Sequence, residues 1–136
     1  MPNEYVHRRR VHFIDTDAAG IIHYSNYFRY MEEAETEFLF RCADEAGVPR
    51  SKFFIAPRVK ATAEFVRPVR FGDLIDIHLK VDHLGQSSIG YAFDFRHEGE
   101  QVAHGSLRIV CVERDEDGKY KPTPIPEALR AVLTMV

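Results

Sequence analysis

The sequence predicts an α+β domain in which an antiparallel sheet of about five strands wraps one long helix. Three features carry that reading. One stretch of helical periodicity follows a first strand, four stretches of period-two alternation follow the helix, and the connectors among those are too short for helical crossovers.

From Tyr5 to Ile14 the chain is rich in β-branched and aromatic residues, ending with Val11, Phe13 and Ile14, and reads as the first strand. The small, turn-prone segment Asp15 to Gly20 ends it. From about Ser25 the period changes. Tyr27, Met31, Ala34, Phe38 and Cys42 recur at helical spacing, with Glu32, Glu33, Glu35 and Glu37 mostly between them. This predicts one amphipathic helix of about four to five turns, capped by Ser25 or a neighbour and stopped by Gly47 and Pro49.

The period then becomes two. Val59, Ala61, Ala63 and Phe65 alternate with Lys60, Thr62 and Glu64, and Ile75, Ile77, Leu79 and Val81 alternate with Asp76, His78 and Lys80. Both segments read as half-buried strands. Alternation returns in Ile89, Tyr91, Phe93 and Phe95, and more loosely from Ala103 to Val112, where Leu107 to Cys111 implies cover on both faces. Phe71-Gly72-Asp73, Leu84-Gly85-Gln86 and Glu98-Gly99-Glu100 read as hairpin connectors. After Glu113 a polar stretch and Pro122, Pro124 and Pro126 predict an exposed turn and tail, with a short helix beginning near Pro126. The helix has only the sheet to bury its stripe against. The sheet's second face and edge call for cover from another subunit.

A chain of 136 residues with 45% hydrophobic and 29% charged residues fits a single domain spanning residues 1–136. A net charge of -3 gives no general attraction to nucleic acid or to an anionic membrane. Arg8-Arg9-Arg10 is a short run that suits a strand's solvent edge. No signal-like or membrane-length apolar run is present, so the expectations are a cytoplasmic protein with no membrane insertion and no nucleic-acid partner. Cys42 and Cys111 read as reduced core residues. His7, His12, His78, His83, His97 and His104 lack the paired spacing of a zinc site, and no metal is expected.

The informative segment joins the first strand to the helix: Asp15-Thr16-Asp17-Ala18-Ala19-Gly20-Ile21-Ile22-His23-Tyr24. A helix start presents unpaired amides and the positive end of the dipole, which stabilise charge developing on a carbonyl oxygen. Ala18, Ala19 and Gly20 keep bulk away from the main chain. A carboxylate held there can attack an acyl carbon or deprotonate a water. Asp-Thr-Asp before a helix is also an ordinary turn and cap.

The segment closely resembles the 4-hydroxybenzoyl-CoA thioesterase family, including its Tol-Pal-associated branch. The matching pattern is Phe13, Asp15, Thr16, Asp17, Ala18, Ala19, Gly20, Ile21, Ile22, His23, Tyr24, Asn26, Tyr27 and Phe28. Phe65 to Asp73 and Leu84 to Ser88 resemble the family's later connections, so the resemblance covers most of the chain up to about Glu113. It departs at Ala18, where one branch has proline, and at His23-Tyr24, where the Tol-Pal branch reads Tyr-His.

The resemblance implies a hotdog fold, acyl-CoA thioester hydrolysis, and active sites between subunits of a homodimer or dimer of dimers. Coenzyme A would be part of the substrate and no separate cofactor is implied. The catalytic aspartate falls on Asp17 and the amide that polarises the thioester carbonyl falls on or beside Tyr24, while Asp15 is the lesser actor. His23 is a candidate acid, base or orienting group. Gly20, Tyr27, Glu32, Ser87 and Ser88 are candidates for binding substrate. The hairpin at Gly85 to Ser88 lacks the basic residues that hold the nucleotide in the benzoyl-CoA branch, which leaves Arg58, Lys60, Arg67 or Arg70 for the phosphates. Tyr24, Tyr27, Phe28 and Phe54 are candidate acyl lining. A noncatalytic acyl-CoA binding module on the same fold is the alternative.

Overall fold

The computed structural model describes residues 4–49 and 56–134; Phe54 lies outside them. Strand β1 spans Glu4–Arg10, helix α1 Ser25–Ala46, and strands β2 to β5 span Arg58–Phe65, Leu74–Leu84, Ser88–His97 and Glu100–Val110. A small hairpin, β6 (Val112–Arg114) and β7 (Tyr120–Pro122), leads to helix α2, Glu127–Thr134. The first five strands form one antiparallel sheet in the order β1-β3-β4-β5-β2, and α1 lies in its concave face, as the expected α+β hotdog class requires. No helix among the described residues is long and apolar enough to cross a membrane.

The sheet's inner face follows the alternation. Ile77 opposes Phe95, Leu79 opposes Phe93, and Tyr91 opposes Leu107, all buried. The helical stripe of Tyr27, Met31, Ala34, Phe38 and Cys42 is buried against them. Gly105 sets how closely the helix approaches, because a Cβ there would overlap the Thr62 carbonyl oxygen and the Met31 methyl. At the tip of the β4–β5 hairpin, Glu98 and Gly99 both take positive φ (51° and 81°), the primed turn that suits right-twisted strands.

Several expectations are corrected. The first strand stops at Arg10 instead of running to Ile14. The Asp15 carboxylate accepts the His12 N–H (2.9 Å) and the Asp15 N–H bonds back to the His12 carbonyl (3.0 Å), so Phe13–Asp15 closes into a 3-10 turn. That turn leaves Ile14 87% exposed. Helix α1 has 22 residues, about six turns, and is longer than its apolar pattern predicts. Its N-cap is Tyr24, the neighbour of Ser25, with no side-chain cap bond. Gly47 ends it in the left-handed conformation at φ 70°.

Glu35 is the exception on the helix. It is fully buried, and its cationic partner among the described residues is Arg58 at the start of β2. Strand β2 is not half-buried: it pairs only with β5, at the sheet's edge, and Val59 and Phe65 stay exposed. Phe71-Gly72-Asp73 is therefore no hairpin, since β2 and β3 lie on β5 and β1 at opposite sides of the sheet. Nor is the tail merely exposed. Ile125, Leu129, Val132 and Leu133 are buried, α2 packs on α1, and Arg130 donates to the Gly85 and Gln86 carbonyls.

Asp15 itself is buried, and it also accepts the Tyr30 hydroxyl at 2.7 Å and faces the Arg9 guanidinium at 3.3 Å. Burial alone would raise its pKa, but the His12 N–H, the Tyr30 hydroxyl and Arg9 together outweigh it and hold the carboxyl below its ordinary value. A lowered pKa adds stability above the unfolded value and loses it as pH falls through the folded value. We therefore expect Asp15→Asn to destabilise the protein at neutral pH, with the gap to wild type shrinking below about pH 4, as read from urea midpoints against pH. Arg58→Met should cost about 1 to 3 kcal/mol by taking a cation from the buried Glu35 carboxylate, and adding Glu35→Leu should recover much of it in the same assay.

Candidate active site

The segment after the 3-10 turn is fastened at both ends. Thr16 bridges Ile22 and Ile21 bridges Arg70, while the Asp17 N–H bonds to the Ile21 carbonyl at 2.8 Å. The Gly20 N–H returns to the Asp17 carbonyl at 3.0 Å, and Gly20 sits at φ 79°, a conformation that glycine adopts without strain. This small loop presents the Asp17 side chain outward. One carboxylate oxygen takes the Ala19 N–H at 2.8 Å, and among the described residues no cation or hydroxyl binds the other.

Asp17 faces a cavity of about 340 Å³ walled by Ile21, Ile22, Tyr24 and Tyr27 on one side and by Phe65 to Val69 on the other. The cavity meets the start of α1. There the Ser25 N–H reaches the His23 ring nitrogen at 3.3 Å and the Asn26 N–H reaches the His23 carbonyl at 2.9 Å. Among the described residues nothing accepts the Tyr24 N–H. Asp17, a carboxylate with open lone pairs, and Tyr24, whose amide at the positive end of the helix has no acceptor among the described residues, thus both line one largely apolar cavity. These are the components of acyl transfer: a group that attacks or deprotonates, and a donor for the oxyanion.

The apolar walls are ordered by stacking. Tyr27 lies 5.0 Å from Phe65 and meets Phe95 edge-on at 5.3 Å. Burial pushes the Tyr27 hydroxyl up to about 12, so it stays neutral at physiological pH. Tyr24 is exposed at the rim, with His23 stacked on it at 4.5 Å.

The fold gathers only some of the candidates. Asp17, Tyr24 and Tyr27 line the cavity, and Gly20 shapes the loop that holds Asp17. His23 turns aside to the Ser25 hydroxyl at 2.8 Å, and Glu32 is exposed on α1; neither lines the cavity. Ser87 ends the β3–β4 turn and Ser88 opens β4; the Ser87 carbonyl accepts the Cys111 N–H and the Ser88 hydroxyl meets His83. They are not brought to Asp17 within one chain. Of the cations, Arg67 lines the cavity and pairs with Glu100 at 2.8 Å, Arg58 is committed to Glu35, and Arg70 and Lys60 are exposed outside it.

Sequence reading did not find the opposite wall, Phe65 and Val66, because strand alternation assigned Phe65 to the core. The available signal was the pair of adjacent apolar residues running into Arg67-Pro68, where alternation breaks. A larger groove, about 630 Å³, crosses the outer face of the sheet near His78, Lys80 and His104. It has no helix start, and His104 there pairs with Glu64 at 3.0 Å.

Comparison with known proteins identifies the family. Residues 11–133 match the model of the thioesterase-like superfamily, including the tail that sequence reading left uninformative. A 1,4-dihydroxy-2-naphthoyl-CoA hydrolase of a Synechococcus species is 35% identical over 129 residues, spanning 89% of this chain and 82% of that one. The structure of a gentisyl-coenzyme A thioesterase superposes with a TM-score of 0.78 at 32% identity, covering 96% of this chain and all of the other (100%). The 4-hydroxybenzoyl-CoA thioesterase of a Pseudomonas species shares the fold, with a TM-score of 0.80 over 96% of this chain and 99% of that one at 19% identity. With a strand-to-helix loop presenting Asp17 to a cavity that Tyr24 at the helix start also lines, and with the family model running across nearly the whole chain, the protein belongs to the thioesterase-like superfamily.

Proposed function

We propose that the protein hydrolyses acyl-coenzyme A thioesters to a free carboxylic acid and coenzyme A. Asp17 is the reacting carboxylate and the Tyr24 N–H is the oxyanion contact. The observation that supports this reading is that Asp17 and Tyr24, whose amide has no acceptor among the described residues, both line one cavity. Asp17 acts either on the thioester carbon, giving an anhydride that water then opens, or on the attacking water. In both routes the carbonyl oxygen gains charge that the helix start stabilises, and one such donor typically contributes about 2.7 to 4 kcal/mol to the transition state. The reaction needs no cofactor beyond the coenzyme A of its substrate.

Aromatic acyl groups are the proposed substrate class. Tyr27 and Phe65 offer ring faces and edges, the cavity is about 340 Å³, and relatives are named for naphthoyl and gentisyl thioesters. Cys42 and Cys111 do not compete as nucleophiles: both are buried and free, and burial pushes each thiol up to about 11. Free cysteines also suit the cytoplasm, the compartment proposed here.

We further propose a homodimer joined through β2, with a dimer of dimers as the larger form. Among the described residues nothing pairs with the outer side of β2, and Val59, Phe65 and Val66 are exposed along it. Phe65 and Val66 also wall the cavity, so a partner laid on this edge would close the site.

Asp17→Asn should lower kcat on aromatic acyl-CoAs by about a hundred-fold or more in a thiol-release assay, with the fold unchanged by circular dichroism. Turnover within a few-fold of wild type would remove Asp17 from its role. Val59→Glu should convert the assembly to monomer in mass photometry or sedimentation; an unchanged mass would place the interface elsewhere.

A further inference from the structure

The proposed chemistry uses Asp17 but leaves unexplained why a second, fully buried carboxylate stands two residues before it. Asp15 joins three elements. Its side chain takes the His12 N–H at the end of β1 and the Tyr30 hydroxyl on the second turn of α1, and it faces Arg9 of β1. Its main-chain carbonyl accepts both the His23 N–H at 2.9 Å and the Asn26 side-chain amide at 2.8 Å. Those bonds tie down His23, just before Tyr24, and Asn26, two residues after it.

The anchorage extends outward. Arg9 lies over the Tyr30 ring at 4.8 Å and donates to Glu33 at 2.9 Å, and Glu33 meets the His7 ring at 3.2 Å. Strand β1 and helix α1 are thereby cross-linked around Asp15. The loop carrying Asp17 leaves from Asp15, and the helix start carrying Tyr24 hangs from the same residue's carbonyl. No other described residue bonds both the β1 end and the helix start.

We propose that Asp15 is a positioning residue for thioester hydrolysis, which, locked by Tyr30, sets the separation of the Asp17 carboxylate from the Tyr24 amide. This rests on the reading of Asp17 and Tyr24 given above. It does not touch the substrate: the cavity is walled by Ile21, Tyr27 and Phe65 to Val69, none of which bonds Asp15. Loss of the lock therefore misplaces the reacting groups and leaves substrate binding intact.

The test is steady-state kinetics of Tyr30→Phe, Asp15→Asn and the double variant on an aromatic acyl-CoA, well below each melting temperature, with Asp17→Asn alongside. Tyr30→Phe keeps the ring and removes one hydroxyl, so it carries the test even where Asp15→Asn folds poorly. The expected result is a ten- to hundred-fold fall in kcat with KM within about three-fold, and a double variant no slower than the slower single one. Asn26→Ala, which frees the helix start from the Asp15 carbonyl, should shift kcat in the same way.

Folded variants with wild-type kcat, whatever their melting temperature, would make Asp15 a stability residue and overturn the proposal. A raised KM at constant kcat would overturn it equally, by placing the effect in substrate binding. If Asp17→Asn is silent while Tyr30→Phe and Asp15→Asn keep full kcat, this inference alone fails. If Asp17→Asn turns over normally, the reading of the site fails.

Discussion

Asp15 ties together parts of the chain that would otherwise diverge at the open end of the sheet. Strand β1 must stop, the chain must reverse, and a helix must begin, all within the stretch from Arg10 to Ser25. Each of those changes frees backbone donors that a buried segment cannot leave unsatisfied. The Asp15 carboxylate absorbs one at the strand end, its carbonyl absorbs another at the helix start, and Tyr30 supplies the hydroxyl that completes it. Among the described residues the Tyr24 amide is one of the donors left without an acceptor, and Tyr24 lines the cavity that Asp17 faces.

The rest of the architecture holds that junction in place. The aromatic and aliphatic residues of β3 and β4 bury the helix stripe along most of its length, and Gly105 lets the helix lie close against β5. Helix α2 covers α1 where the sheet does not reach, and Arg130 fixes it to the β3–β4 turn. With α1 held along its length, its first turn is rigid enough to offer an amide at a defined place, which preorganised electrostatic stabilisation requires.

The opposite side of the sheet is built differently. Strand β2 offers an open edge and exposed apolar side chains, while the exposed Arg58 meets the buried Glu35 where the strand starts. That pair fixes where β2 begins relative to the helix, and so where Phe65 and Val66, at the strand's far end and just past it, come to wall the cavity that Asp17 faces.

Local chemistry in the sequence determined the long helix, the alternation of β3 and β4, the hairpin turns and the segment from Asp15 to Tyr24. Helical and strand periods, glycine turns and an aspartate before a helix act over a few residues, and their signals survive without the fold. Only the tertiary structure decided that Phe13 and Ile14 leave the strand, that β2 crosses to the far edge, that Glu35 is buried, and that the tail joins the core. It also separated Asp17, which is open to the cavity, from Asp15, which is buried in hydrogen bonds, although the two look alike in Asp-Thr-Asp. Those outcomes depend on partners distant along the chain, such as Tyr30 for Asp15, Arg58 for Glu35, and α1 for α2. A short window of sequence holds one member of such a pair, whereas burial and hydrogen bonding are properties of both.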